Sequence, residues 1–195
     1  MPVILTTARV LAVLISWVLA LGRKIAVILM ALMVLVILIQ VFYRYVLNSA
    51  LPWPDEAARF MMLWLTGLVA PSAYRLGGFV AIEMVPQLLP RTVGAVLSLI
   101  LLCLAGLVLV VATQLGWNHV NSGWLFNSAS LKLPLDLIGM EVVRIKLAWM
   151  YMSLFVGVCL LLAVNVELIL RAIATLAGRG EDLPEINTQS MLGAE

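Results

Sequence analysis

Residues able to do chemistry are few in this chain and poorly grouped for it. The single histidine, His119, stands alone, and a zinc or haem site needs several ligands, so it fits an interfacial polar residue better than a catalytic one. Cys103 and Cys159 lie inside long apolar runs with no CxxC spacing and no ligand cluster nearby, which is how small core residues occur. Gly77 and Gly78 lack the Lys-Ser/Thr ending of a phosphate loop. No catalytic, cofactor-binding or metal-ligating set can be assembled, and an enzyme is not expected.

The polar residues that do group sit at the ends of apolar runs. Gln40, Arg44 and Tyr45 fall on neighbouring turns of one segment, and Trp53, Glu56 and Arg59 recur at three-residue spacing on the next. Three-residue spacing on a helix puts side chains on one face. Glu56 is therefore expected to pair with Arg44 or Arg59 and hold two helices in a hairpin. Such a pair matters more in lipid than in water, where exposed pairs contribute about 0–1 kcal/mol.

The elements that position these residues follow from composition. Of 195 residues, 64% are hydrophobic and 11% charged, with a mean hydropathy of +1.13. That leaves too little polar side chain to cover a soluble surface. No Asp, Glu, Lys or Arg occurs between Lys24 and Arg44, Arg59 and Arg75, Arg91 and Lys132, or Lys146 and Glu167. A hydrocarbon core of about 30 Å needs about 20 helical residues. The second gap is short, and Trp53, Pro54, Asp55 and Glu56 extend it as an interfacial anchor followed by a helix start, with acids at the positive end of the dipole. The expected fold is an all-α polytopic bundle of four transmembrane helices, near 24–46, 54–75, 93–115 and 147–170, with additional short interfacial helices.

The flanks divide the chain into an apolar N-terminal lead-in or surface helix over 1–22, a transmembrane domain over 23–172, and a polar tail over 173–195. The apolar run Val10 to Leu21 is about half a normal span. A fifth crossing, a membrane-surface helix and the first part of a long helix continuing through Gly22, Arg23 and Lys24 all fit it. No small-x-small site follows it for signal cleavage. With four spans, the side holding both termini collects seven basic residues against five on the other, so the positive-inside rule favours cytoplasmic termini. Gly116 to Ser130 reads as an interfacial loop, and Leu131 to Lys146 as a short interfacial helix or the lead-in to the last span. The net charge of +2, with no basic patch among aromatics, calls for no nucleic-acid partner.

Bare spans limit the function. A secondary transporter usually places polar groups on broken helices near the midplane, often within inverted repeats, and here no repeat is found and Pro71-Ser72 is the deepest interruption. An accessory subunit needs neither, since its helices can meet lipid on one face and a larger membrane protein on another. Two alternatives stay open: a small homo-oligomeric channel with Gln40, Arg44 and Glu56 facing a pore, and a different membrane assembly or redox subunit. The lack of histidine pairs weighs against haem ligation in the latter.

The ordered set Gln40, Arg44, Tyr45, Trp53-Pro54-Asp55-Glu56, Arg59, Trp64, Arg75-Leu76-Gly77, Ile82-Glu83 and Leu89-Pro90 resembles the DctQ-like small membrane subunit of tripartite ATP-independent periplasmic (TRAP) transporters. The match is strong over about 23–115 and rests on hydropathy through the fourth helix. Departures are Phe79 where the family often has His, Glu83 where Asp is common, Val69 where Gly is common, and the long apolar lead-in.

The resemblance implies a multi-pass protein of the bacterial inner membrane that works in sodium-coupled import of an organic acid. In such systems a soluble periplasmic binding protein captures the substrate, and a large membrane subunit carries it with sodium. The small subunit braces the large one. The partners implied are that large subunit, the binding protein and membrane lipids, with no cofactor held by this chain and sodium belonging to the large subunit. Gln40, Arg44, Trp53, Glu56, Arg59, Trp64, Arg75 and Glu83 carry over as structural or interface residues, not ligands.

Overall fold

The computed structural model describes residues 2–77, 90–133 and 143–176. Expectations placed on Phe79, Glu83 and the polar tail beyond 176 lie outside the described residues. The described residues form an all-α bundle of four helices: α1 Pro2–Tyr45, α2 Pro54–Arg75, α3 Arg91–Gly123 and α4 Ala148–Leu176. A pair of strands, β1 Asn127–Leu133 and β2 Val143–Lys146, lies between α3 and α4 in sequence.

Among the described residues, three helices are long and apolar enough to cross a membrane: α1 over Arg9–Tyr45, α3 over Val93–Gly123 and α4 over Ala148–Leu176. The fourth expected span, α2, falls short of that standard. Asp55, Glu56, Arg59 and Arg75 crowd its two ends, leaving too short a charge-free stretch for a hydrocarbon core on its own. α1 continues through Gly22, Arg23 and Lys24 without a break.

Helix ends follow local chemistry. At the end of α1 the chain turns through Asn48 at φ 49°, a left-handed conformation Asn tolerates, while the amides of Val46 and Leu47 donate to the Phe42 carbonyl. Pro54 opens α2 with Asp55 and Glu56 in its first turn, as dipole and proline geometry favour. Gly77, at φ 75°, closes it.

A short interfacial helix over 131–146 is not what the described ends of that segment form. They pair as antiparallel strands, with Asn127 opposite Lys146, Lys132 opposite Arg144 and Leu133 opposite Val143. Leu131-Lys132-Leu133 alternates with period two, and a residue before proline, as Leu133 is, is biased to extended backbone. The register slips between Asn127 and Lys132, so residues 128–131 bulge from the ladder.

Two compact units divide the chain. Unit 1 comprises 1–20, 70–111 and 159–195, and unit 2 comprises 21–69 and 112–158. The core of unit 1 gathers Ile15, Leu19 and Val164, with Leu11, Tyr74, Ala163 and Leu168 packed against them. In unit 2, α2 and α4 meet through glycines. A Cβ on Gly67 would stand 2.5 Å from the Ser153 carbonyl oxygen, and one on Gly157 would stand 2.8 Å from the Gly67 Cα. Small residues let membrane helices approach this closely. Pro71 lies four residues beyond Gly67 in α2, and its missing N–H withdraws the helical partner of the Gly67 carbonyl.

Substituting Gly67 or Gly157 by Leu should separate α2 from α4 and destabilise the fold by about 1–3 kcal/mol, the usual penalty of overpacking. A fall in the thermal unfolding midpoint of the detergent-purified variants is the expected reading. A midpoint equal to that of the natural protein would show that the close approach contributes nothing.

Candidate functional site

Two polar clusters organise the units, one buried around Glu167 and one half-buried around Glu56. In unit 1, Glu167 of α4 is fully buried and meets two arginines. Arg75, the last residue of α2, donates from Nη2 to Glu167 Oε1 at 2.7 Å, and Arg171, one turn on along α4, places Nε at 3.0 Å and Nη2 at 2.9 Å from the same oxygen. Arg75 also reaches α1, donating from Nη1 to Ser16 Oγ at 2.6 Å and from Nη2 to the Ala12 carbonyl at 3.1 Å. The Ser16 hydroxyl donates in turn to the same Ala12 carbonyl at 2.6 Å. Glu167 Oε2 and Arg75 Nε are buried and have no hydrogen-bond partner among the described residues.

Two residues before Glu167 in α4, Asn165 is fully buried and completes the connection. Its Oδ1 accepts from the Tyr74 hydroxyl at 2.6 Å, and its Nδ2 donates to the Leu102 carbonyl of α3 at 3.1 Å. Gly106 on α3 makes room for this amide, since a Cβ there would lie 2.8 Å from Nδ2. Unit 1 thus ties α1, α2, α3 and α4 together through Ser16, Arg75, Tyr74, Asn165 and Glu167. Satisfying polar groups against each other is what a low-dielectric interior demands.

In unit 2, Glu56 is the centre. Its Oε1 accepts from Ser128 Oγ at 2.6 Å and the Ala129 amide at 3.2 Å, and its Oε2 from the Ser130 amide at 2.7 Å, the Leu131 amide at 3.2 Å and the Ser130 hydroxyl. These donors come from the bulge in β1. The register slip frees their amides from the ladder and turns them to an ionised carboxylate, which is acceptor-only and able to take several donors. Ser128 Oγ additionally accepts from the Leu131 amide at 3.0 Å, bracing the bulge from within.

This arrangement corrects the hairpin pairing expected from sequence. Glu56 pairs with neither Arg44 nor Arg59, because serine hydroxyls and backbone amides occupy both its oxygens. Arg44 is exposed, with its guanidinium 5.9 Å from the Tyr45 ring centre, and Arg59 is exposed as well. Gln40 is half-buried. The Trp53 carbonyl accepts from the Ala57 amide in the first turn of α2. Trp64 stands 6.5 Å from the Phe60 ring, and its buried indole N–H has no partner among the described residues.

Of the residues singled out in the sequence, the structure therefore puts Arg75 and Glu56 at the hearts of different clusters. Sequence reasoning missed Glu167, Arg171, Asn165, Tyr74, Ser128 and Ser130. Glu167 and Arg171 carried a signal in their i,i+4 spacing, but they stand where a charged residue marks the end of a span as readily as a buried pair. Among the described residues, no three His, Cys, Asp or Glu side chains gather to hold a metal. The clusters hold helices and a strand in place.

Glu56→Gln should loosen the bulge, since one amide nitrogen would face donors in place of an acceptor. Hydrogen exchange at the amides of Ala129, Ser130 and Leu131 should speed up by about tenfold or more, as expected for losing charge-assisted bonds. Unchanged exchange would mean the clasp does not hold the segment. Asn165→Leu removes the hydrogen bonds to the Tyr74 hydroxyl and the Leu102 carbonyl, and should lower stability in a reversible mixed-micelle unfolding titration by about 1–3 kcal/mol. A variant as stable as the natural protein would show that the bridge to α3 carries no weight.

Comparison with known protein families gives a match to the DctQ component of tripartite ATP-independent periplasmic transporters over residues 33–175. Comparison with curated proteins gives no match. The family match runs through α4 to its last residues, and so includes the helix for which the resemblance rested on hydropathy. DctQ proteins are non-catalytic accessory subunits of transporters. With the matched region covering well over half the sequence and three of the four helices apolar enough to span a bilayer, this multi-pass membrane chain belongs to the DctQ family of TRAP transporter subunits.

Proposed function

We propose that this chain is the small scaffold subunit of a sodium-coupled TRAP transporter in the bacterial inner membrane. It braces the large transport subunit while an organic acid is imported with the help of a periplasmic binding protein. The observation that carries this reading is where the polar groups go. Buried carboxylate, guanidinium and amide groups are directed at other parts of the same unit, as a rigid brace requires and a substrate path does not.

The outward surface complements this. In unit 2, α1 beyond Ala26 packs through a narrow stripe of half-buried residues, including Leu29, Met33, Val36 and Ile39, and exposes apolar side chains such as Leu32, Leu35 and Leu38. A helix with this pattern suits lipid on one side and another membrane protein on the other. We assign α2 as a fourth crossing, its charged ends at opposite interfaces, which brings both termini to one side. The basic-residue balance makes that side cytoplasmic. Trp53 and Glu56 then lie on the periplasmic side, where a docked binding protein would meet them. The brace gives a moving transport domain a constant boundary to slide against.

Purification of the tagged chain from its native membrane in mild detergent should recover a large polytopic membrane protein at one-to-one stoichiometry. Recovery of the chain alone as a defined homo-oligomer would contradict the scaffold reading and favour a small channel.

A further inference from the structure

The turn that leaves α3 in unit 2 exposes the wrong residues for water. Trp124, Leu125 and Phe126 are consecutive and all exposed, Leu125 by 80% and Phe126 by 60%. Small and polar residues are the ordinary choice for a solvated turn, and large apolar side chains at its tip gain free energy by leaving water.

The fold fixes the height of this turn. Gly123, the last residue of α3, lies so close to α4 that a Cβ on it would stand 2.8 Å from both the Cα and the backbone nitrogen of Ala148. Ala148 opens α4, one of the helices long and apolar enough to cross a bilayer. The next residue, Trp149, is exposed and meets Trp124 edge to face, with ring centres 6.3 Å apart. The apolar turn therefore lies level with the start of the α4 span, the depth at which tryptophan is enriched in membrane proteins.

Its backbone suits the same depth. The Leu125 amide donates to the Ser122 carbonyl at 3.1 Å and the Phe126 amide to the Gly123 carbonyl at 3.3 Å, while the Phe126 carbonyl accepts from the Leu147 amide at 3.1 Å. Peptide groups paired within the protein escape the desolvation cost that bars open loops from lipid. Directly after the turn the chain becomes polar, with Asn127 exposed and opposite Lys146 in the strand ladder. An apolar tip on a polar stem matches the boundary between acyl chains and headgroups.

We infer that the Trp124–Phe126 turn is a lipid anchor. Leu125 and Phe126 insert among the upper acyl chains of the adjacent leaflet, and Trp124 and Trp149 lie at the headgroup level. Lipid is the occupant because the turn stands where α4 enters the bilayer. The anchor holds the strand pair, which begins at Asn127, against the membrane surface. This inference rests on the multi-pass reading and is independent of the scaffold role.

Fluorescence quenching in phosphatidylcholine proteoliposomes tests it, using the full chain with Cys103→Ser and Cys159→Ser and a nitrobenzoxadiazole label on Leu125→Cys. A nitroxide carried high on the lipid acyl chain should quench the label. Iodide, present on both sides of the membrane, should quench it about tenfold less than it quenches the same label on free cysteine, the scale on which a Leu-sized group partitions out of water. Phe126→Cys provides the same reading if the first variant does not fold. Iodide quenching equal to that of the free label would overturn the inference by placing the turn in water. Shielding from both quenchers would also overturn it, since protein and not lipid would then cover the turn.

Discussion

Burying Glu167 between two arginines sets the constraint on which unit 1 depends. A carboxylate removed from water must be met by cations and donors, and leaving such a group without its partner in a protein interior typically costs about 3–5 kcal/mol. Glu167 on α4 fixes Arg75 at the end of α2, and Arg75 then reaches Ser16 and Ala12 on α1. Asn165, two residues before Glu167, extends the same logic to Tyr74 and to the backbone of α3. Four helices with almost uniformly apolar surfaces have little else to define their register, because lipid competes with helix for apolar contact.

Unit 2 solves the same problem with different chemistry. Instead of arginines, Glu56 draws hydroxyls and amides from a bulge that the strand pair could not have formed at regular register. Around it, backbone proximity at Gly67 and Gly157 replaces polar contact. Polar specificity is thus kept inside and apolar surface turned outward. That division suits a non-catalytic subunit of the DctQ family.

Much of this was legible in the sequence because hydropathy and charge spacing are local properties. Charge-free runs located the central parts of α1, α3 and α4, and the Trp53 to Glu56 helix start located α2 to the residue. But α1 starts as early as Pro2 and α3 continues to Gly123, through the first half of the 116–130 segment that read as a loop, because a polar sequence at a span's end does not by itself stop a helix. Glu56 stood out by its spacing at a helix start, and Arg75 through the family resemblance. What could not be read was partner choice. Glu56 was expected to seek a cation near it in sequence, yet its partners lie some 72 to 75 residues away and are neutral. Serines in a polar loop give no sign that they face a carboxylate until a bulge aims them. The short strands were missed for a related reason: a two-stranded pair depends on its non-local partner, and a stretch of mixed aliphatic and charged residues satisfies a helical pattern as well. Glu167 was hidden by its place near the end of a span, where a solvated charge is the ordinary expectation.

The claim at the centre of this account is that Arg75 and Glu167 are coupled and not merely neighbouring. A double-mutant cycle with Arg75→Ala, Glu167→Ala and the combined variant, read by reversible unfolding in mixed micelles, measures it directly. A coupling energy of about 2–3 kcal/mol, with the double variant more stable than the two single losses add up to, is the predicted result. Losses that add within about 0.5 kcal/mol would contradict it and leave helix packing, not the buried ion pair, as the determinant of the fold.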